Sequence, residues 1–219
     1  MIYTVGHSTR RLEEFLRLLS AHGVERVVDV RRYPASRRHP HFAREALAGA
    51  LAAAGIAYRH EPDLGGRRAP RPDSQNAGWK NAGFRGYADH MGTAAFRAAL
   101  ERLIELAEGR PTAILCAEAV PSRCHRQLIA DALTARGVEV RHILGAENPQ
   151  LHRLSPHAQV LPDGGLRYPA GAPALAPSAQ WGASPPGPLS GTRGLTPWPP
   201  LRNAERGNEG EGRCEGRRS

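Results

Sequence analysis

The chain has 219 residues, of which 40% are hydrophobic, and carries a net charge of +9. That supplies one apolar core and excludes a disulfide scaffold, since Cys116, Cys124 and Cys214 are the only cysteines and show no regular spacing. No apolar run reaches the length of a membrane span, so no membrane is expected, and the strand-like Met1–Val5 start gives no signal-peptide pattern. A reducing, cytoplasmic location is the expectation.

The first 145 residues alternate short β-like runs with helical patterns. Ile2 to Val5 is an apolar run ended by Gly6. Leu12, Phe15, Leu16 and Leu19 then repeat at helical spacing, and Gly23 closes that segment. Val27 to Val30 reads as the second strand, Phe42 to Ala54 as a helix, and Ile56 to His60 as the third strand. An irregular stretch from Glu61 to about Gly86 follows, long enough to suggest a functional role. Tyr87 to Glu108 reads as one helix, Thr112 to Leu115 as the fourth strand, Arg123 to Arg136 as a helix, and Val138 to Ile143 as the fifth strand. Asp163-Gly164-Gly165 signals a late hairpin.

Strand–helix alternation of this kind predicts an α/β three-layer sandwich with a mostly parallel, about five-stranded sheet. One domain is expected over residues 1–170. The segment 171–219 has eight prolines and nine glycines and reads as a disordered Pro/Gly/Arg-rich tail.

Ligands in open parallel sheets sit beyond the carboxyl ends of the strands, so the residues that follow each strand are the candidates. After the first come His7 and Ser8. Ser8 or Thr9 is also a candidate helix cap. After the second come Asp29 and Arg31, where Asp29 is either a structural ion pair with an arginine or a catalytic carboxylate. After the third comes Arg67. After the fourth come Cys116 and Glu118, then Cys124, His125 and Arg126.

Ser122 reads as an N-cap. It would put Cys124 and His125 in the first helical turn, where the helix dipole favours a thiolate. Cys116, Cys124 and His125, with His7, offer soft ligands. The adjacency of Cys124 and His125 and the lack of a Cys-x-x-Cys pair count against a metal, and no metal ligands are assigned. A phosphatase-type loop wants arginine six positions after cysteine. Counted from Cys116 that position is Ser122, one residue short of Arg123.

The ordered pieces Thr4-Val5-Gly6-His7-Ser8, Asp29-Val30-Arg31 with Pro34 and Ser36, Leu64-Gly65-Gly66-Arg67, Gly83-Phe84-Arg85-Gly86-Tyr87-Ala88 with Met91, Leu115-Cys116-Ala117-Glu118, Cys124-His125-Arg126, His142-Ile143 and Ser155-Pro156-His157 form a pattern. In them the chain resembles the bacterial and archaeal family known as domain of unknown function 488, over about residues 1–170. The resemblance implies a small cytosolic α/β domain whose listed residues share one polar site. It hands over no substrate, and the cofactor stays unknown.

Three functions remain open. The first is binding, or acting on, an anionic small molecule such as a nucleotide, although no Walker loop or Gly-x-Gly-x-x-Gly fingerprint is present. The second is nucleic-acid binding, suggested by a pI of about 10.4 and by Trp79, Phe84 and Tyr87 in the long loop. The third is thiol chemistry, with Cys116 or Cys124 as nucleophile, His125 as base and Asp29 or Glu118 orienting it. The same residues serve all three: Cys116, Glu118, Cys124, His125 and Asp29 as catalytic candidates, and His7, Ser8, Arg31, Arg67, Arg126 and Tyr87 as ligand contacts.

Overall fold

A computed structural model describes residues 1–35 and 38–171. The proline- and glycine-rich stretch from residue 172 onward, and Ser36 and Arg37, lie outside the described residues. The elements are β1 (Ile2–Gly6), α1 (Leu12–Ala21), β2 (Arg26–Asp29), α2 (Arg44–Ala53), β3 (Ala57–His60), α3 (Ala82–Met91), α4 (Ala94–Ala107), β4 (Thr112–Cys116), α5 (Arg126–Thr134), β5 (Val140–Ile143) and the two-residue strands β6 (Gln150–Leu151), β7 (Gln159–Val160) and β8 (Leu166–Arg167). Short 3-10 turns at Pro40–Phe42, Pro62–Leu64 and Pro121–Arg123 punctuate the loops.

The sheet order is β3-β2-β4-β1-β5-β6. The first five strands are mutually parallel, and β6 adds an antiparallel edge. The expected α/β sandwich is therefore present, with one short strand more than expected. The late hairpin signal produces the separate β7–β8 pair.

Alternate strand residues feed two cores, as the period of two requires. Val5, Val27, Ala113, Leu115 and Ile143 pack against Phe15 and Leu19 of α1 and Leu47 and Leu51 of α2. Ile2, Val28, Ile114 and Val140 pack against Tyr87, Phe96, Leu100, Leu128 and Ile129 of α3, α4 and α5. The long irregular segment packs on this second core through Trp79 and Phe84, whose rings stack with centroids 4.8 Å apart, and Trp79 also meets His157 and Tyr168.

Two helix boundaries differ from expectation. The segment read as one helix from Tyr87 is two, because the Asn81 side chain accepts from the N–H groups of Gly83 and Phe84 and starts α3 early. Thr93 then accepts from the Phe96 N–H and starts α4 after Gly92. The helix read from Arg123 starts at Arg126. Pro121 directs residues 121–123 into a 3-10 turn, and Cys124 returns to an extended conformation at φ −134°, ψ 149°. No helix among the described residues is long and apolar enough to cross a membrane.

The topology places the site. The connections leaving β1 and β2 run through α1 and α2 on one face. The connection leaving β4 runs through α5 on the other. Since β4 lies between β2 and β1, its own loop departs to the face opposite that taken by both neighbours, which opens a crevice at its carboxyl end. The register aligns Gly6 with Cys116, and Asp29 with Leu115, at that edge.

Candidate functional site

The loops after β1 and β4 are bound together by backbone hydrogen bonds. His7 N–H donates to the Cys116 carbonyl at 3.0 Å and Ser8 N–H to that of Ala117 at 2.8 Å. Gly6 permits this approach, because a Cβ there would lie 1.9 Å from the Glu118 carbonyl oxygen. Two non-glycine residues bordering the crevice, Ser8 and Arg67, adopt positive φ of 51° and 59°. Such backbone is costly for L-residues and is retained where the surroundings over-determine it. Ser8 does not cap α1, whose N-cap is Arg11 without a side-chain bond. The tight turn at Ser8 lies too far from the helix start.

Asp29 is fully buried and committed to structure. Its Oδ1 accepts from Arg31 Nε at 2.9 Å and from the Arg31 backbone N–H at 3.0 Å, and its Oδ2 accepts from Arg31 and from the Tyr58 hydroxyl at 2.8 Å. Burial, then the Asp29 charge, pushes the Tyr58 pKa upward and keeps the phenol a donor. Arg31 also donates to the Phe42 carbonyl at 2.8 Å and meets His7 Nε2 at 3.3 Å. His7 Nδ1 faces the Ser8 carbonyl at 2.9 Å, so that nitrogen carries the proton and Nε2 accepts from the guanidinium. Burial lowers the His7 pKa to about 4, and its ring stacks on Phe42. Asp29, Arg31 and His7 therefore form an internally satisfied strut. Sequence reasoning missed Tyr58, which no pattern marks.

Beside this strut lie two sulfurs and an imidazole. His125 Nε2 donates to the Val30 carbonyl at 3.0 Å, which leaves the Nδ1 lone pair facing Cys124 Sγ at 3.6 Å and Cys116 Sγ at 4.0 Å. The three ligand atoms lie within 4.8 Å of one another. The close pairing of the two buried thiols holds the Cys124 pKa well below the usual thiol value, with Arg126 adding to the lowering, and pushes that of Cys116 well above it. The expectation that the dipole of α5 would act on Cys124 from within the first turn is corrected. His125 is the N-cap, Cys124 precedes it, and the named side chains act instead.

Arg126 is fully buried. Its Nε donates to Cys124 Sγ at 3.4 Å, and its terminal nitrogens donate to the carbonyls of Glu118 and Ala119 and to Thr4 Oγ1. Thr4 Oγ1 lies 2.8 Å from His142 Nδ1, His142 Nε2 lies 3.0 Å from His152 Nδ1, and His152 Nε2 donates to Asp131 at 2.9 Å. A buried chain of side chains thus runs from the Cys124 sulfur to α5's own Asp131. Cys124 and Arg126 within it are expected site residues and Thr4 and His142 belong to the family resemblance, whereas His152 and Asp131 carry no mark in the sequence. Tyr87 sits behind His125, with ring centroids 5.1 Å apart, and spends its hydroxyl on the Leu64 carbonyl at 2.7 Å.

Two clefts share this floor. One, of about 660 Å³, is lined by His7, Ser8, Arg32, Arg38, Cys116 and Glu118 among others. The second, of about 550 Å³, lies toward Phe84, Arg123 and Cys124. Both are bordered by Gly66, Arg67, Cys116, Glu118 and His125. Glu118 and Arg67 are exposed, whereas Arg31 and Arg126 face inward. The predicted residues are thus brought together, but the two nearest arginines organise the site from behind. Among the described residues the clefts present Arg32, Arg38, Arg67 and Arg123 to solvent, and of these Arg67 is an expected ligand contact.

The family model described as "Domain of unknown function DUF488" matches residues 11–133. No curated protein and no solved structure matches the chain.

Proposed function

We propose that this chain, which belongs to the DUF488 family, binds an anionic small molecule at the carboxyl edge of its sheet, a phosphorylated compound or nucleotide being the class that fits. One observation carries this reading. Among the described residues, the 660 Å³ cleft at the topological switch point is lined by Arg32, Arg38 and Arg67 against a single carboxylate, Glu118, once Arg31 is discounted as the partner of Asp29. Guanidinium groups hold phosphate oxygens in bidentate fashion and keep their charge at all working pH values. The volume suits a mononucleotide-sized ligand better than a polymer.

The test is calorimetric titration of the full-length protein with inorganic phosphate, mononucleotides and short single-stranded DNA, at two salt concentrations. Binding of a phosphate-bearing small molecule is expected, weakened roughly tenfold for each of Arg38→Ala and Arg67→Ala, the cost of one charge-assisted hydrogen bond. Binding of DNA alone, with a steep salt dependence, would replace this reading by the nucleic-acid one. Equal affinity in the double variant would remove the cleft as the site.

A further inference from the structure

We propose that Cys116, Cys124 and His125 form a zinc site of the Cys2His type, with its fourth coordination position open to the two clefts. Thiolate and imidazole together are the donor set zinc prefers. With Zn–S of about 2.3 Å and Zn–N of about 2.0–2.1 Å, a tetrahedral ion requires sulfur–nitrogen separations of about 3.6 Å and sulfur–sulfur separations of about 3.8 Å. The structure has Nδ1 at 3.6 Å from Cys124 Sγ and 4.0 Å from Cys116 Sγ, with all three atoms inside 4.8 Å. The sulfur–nitrogen separations are within about 0.4 Å of those a tetrahedral ion requires, and the two sulfurs, within 4.8 Å of each other, would close toward about 3.8 Å on binding.

The adjacency of Cys124 and His125 is no obstacle. Cys124 is extended, whereas His125 is helical at φ −57°, ψ −15°, and this change of backbone lets consecutive side chains converge on one point. The outer contacts are those of a ligated site. A metal-binding histidine donates its second ring N–H to a carbonyl or carboxylate, and here Nε2 donates to Val30. Arg126 Nε donates to the Cys124 sulfur. Gly66 has no side chain where one would intrude, since a Cβ there would lie 2.8 Å from His125 Nδ1, the candidate ligand atom.

Cys116 and His125 border both clefts, so the remaining tetrahedral position faces solvent-accessible space. A three-ligand zinc with an open position is the arrangement that holds a water or a substrate oxygen. The proposal goes beyond anion binding by the rim arginines and stands on ligand geometry whether or not that reading holds.

The experiment loads reduced, metal-free, full-length protein with Co2+ and then competes with Zn2+, while a chromophoric chelator reports Zn2+ affinity. The expected result is a single Zn2+ per chain, with thiolate-to-cobalt charge transfer and the intense visible bands of tetrahedral Co2+, both bleached by Zn2+. Cys116→Ser and Cys124→Ser should each weaken Zn2+ binding about 100-fold or more, while Cys214→Ala leaves it unchanged. Gly66→Val keeps all three ligands and should still weaken binding at least about tenfold, which guards against a ligand variant that fails to fold. Absence of the charge-transfer band in the reduced wild-type protein, or wild-type Zn2+ affinity in the Cys116→Ser/Cys124→Ser double variant, would overturn the site. Phosphate titration of the same variants separates this outcome from failure of the anion reading.

Discussion

Replacing Asp131 by alanine should cost this fold on the order of 3–5 kcal/mol, the penalty for breaking a buried charged hydrogen-bond cluster. Asp131 lies on α5 and is fully buried. Its Oδ1 accepts from His152 Nε2 and from the Ser155 backbone N–H, both at 2.9 Å. Its Oδ2 accepts from Ser155 Oγ at 2.6 Å and from the Tyr168 hydroxyl at 2.9 Å. All four donors come from residues 152–168, so this carboxylate is the polar clasp that holds that segment on α5. Alanine leaves four donors without their acceptor. Each buried orphan costs roughly 1–3 kcal/mol, but the costs do not add, because water enters the space vacated. Against a typical total of about 5–15 kcal/mol the loss is large. At about 2–4 °C per kcal/mol for a domain of this size, the midpoint should fall by roughly 10 °C. Urea unfolding followed by far-ultraviolet circular dichroism measures the difference directly. Tyr168→Phe, which removes one donor and leaves the carboxylate three, should cost only about 1–2 kcal/mol. If Asp131→Ala came within about 1 kcal/mol of wild type at an unchanged m-value, the clasp would not exist as described.

Two further outcomes follow from the buried polar groups. Asp29→Asn removes the charge that pairs Arg31 at 7% exposure, and should destabilise by about 3–5 kcal/mol, with Tyr58→Phe at about 1–2 kcal/mol, both read from denaturant midpoints. Stability should also fall with acid through His142. Burial, with His152 and Arg126 adding, lowers its pKa from 6.5 to about 4, while Asp131 opposes and Thr4 holds its Nδ1. Between those values the unfolded chain binds a proton that the native state refuses. The contribution is therefore complete above about pH 6.5 and is lost as pH drops toward 4, by at most about 3 kcal/mol. A His142→Gln variant should show a shallower fall over the same window, and identical slopes would rule His142 out.

The local arithmetic of the chain was legible wherever one segment sufficed. Helical spacing at Leu12, Phe15 and Leu19 marks α1, the apolar runs at Val27 and Thr112 mark buried strands, and Gly23 ends α1 with φ +62°. Caps were read less well. Asn81 and Thr93 divide one apolar pattern into two helices, and a hydrophobic stripe is blind to the side chain that starts a new turn. The strand ends that carry His7, Asp29 and Cys116, and the loop after β4 that leads to His125, were also legible, because parallel sheets put their ligands at that edge.

What the sequence by itself determined is thus the family, the layered α/β architecture and which loops would meet, since these follow from periodicity and from short-range turn chemistry. Only the tertiary structure decided what each residue does once there. Strand order brings β4 between β2 and β1, and so opens the crevice beside Cys116. Arg31 and Arg126 looked like ligand arms, but their donors are consumed by Asp29, Phe42, Thr4 and the carbonyls of Glu118 and Ala119, contacts up to 122 positions away. The approach of Cys116 to Cys124 and His125 depends on a 3-10 turn and one extended residue. Hydrogen-bond saturation and the convergence of side chains are properties of positions in space, and spacing along the chain does not encode them until the sheet has set those positions.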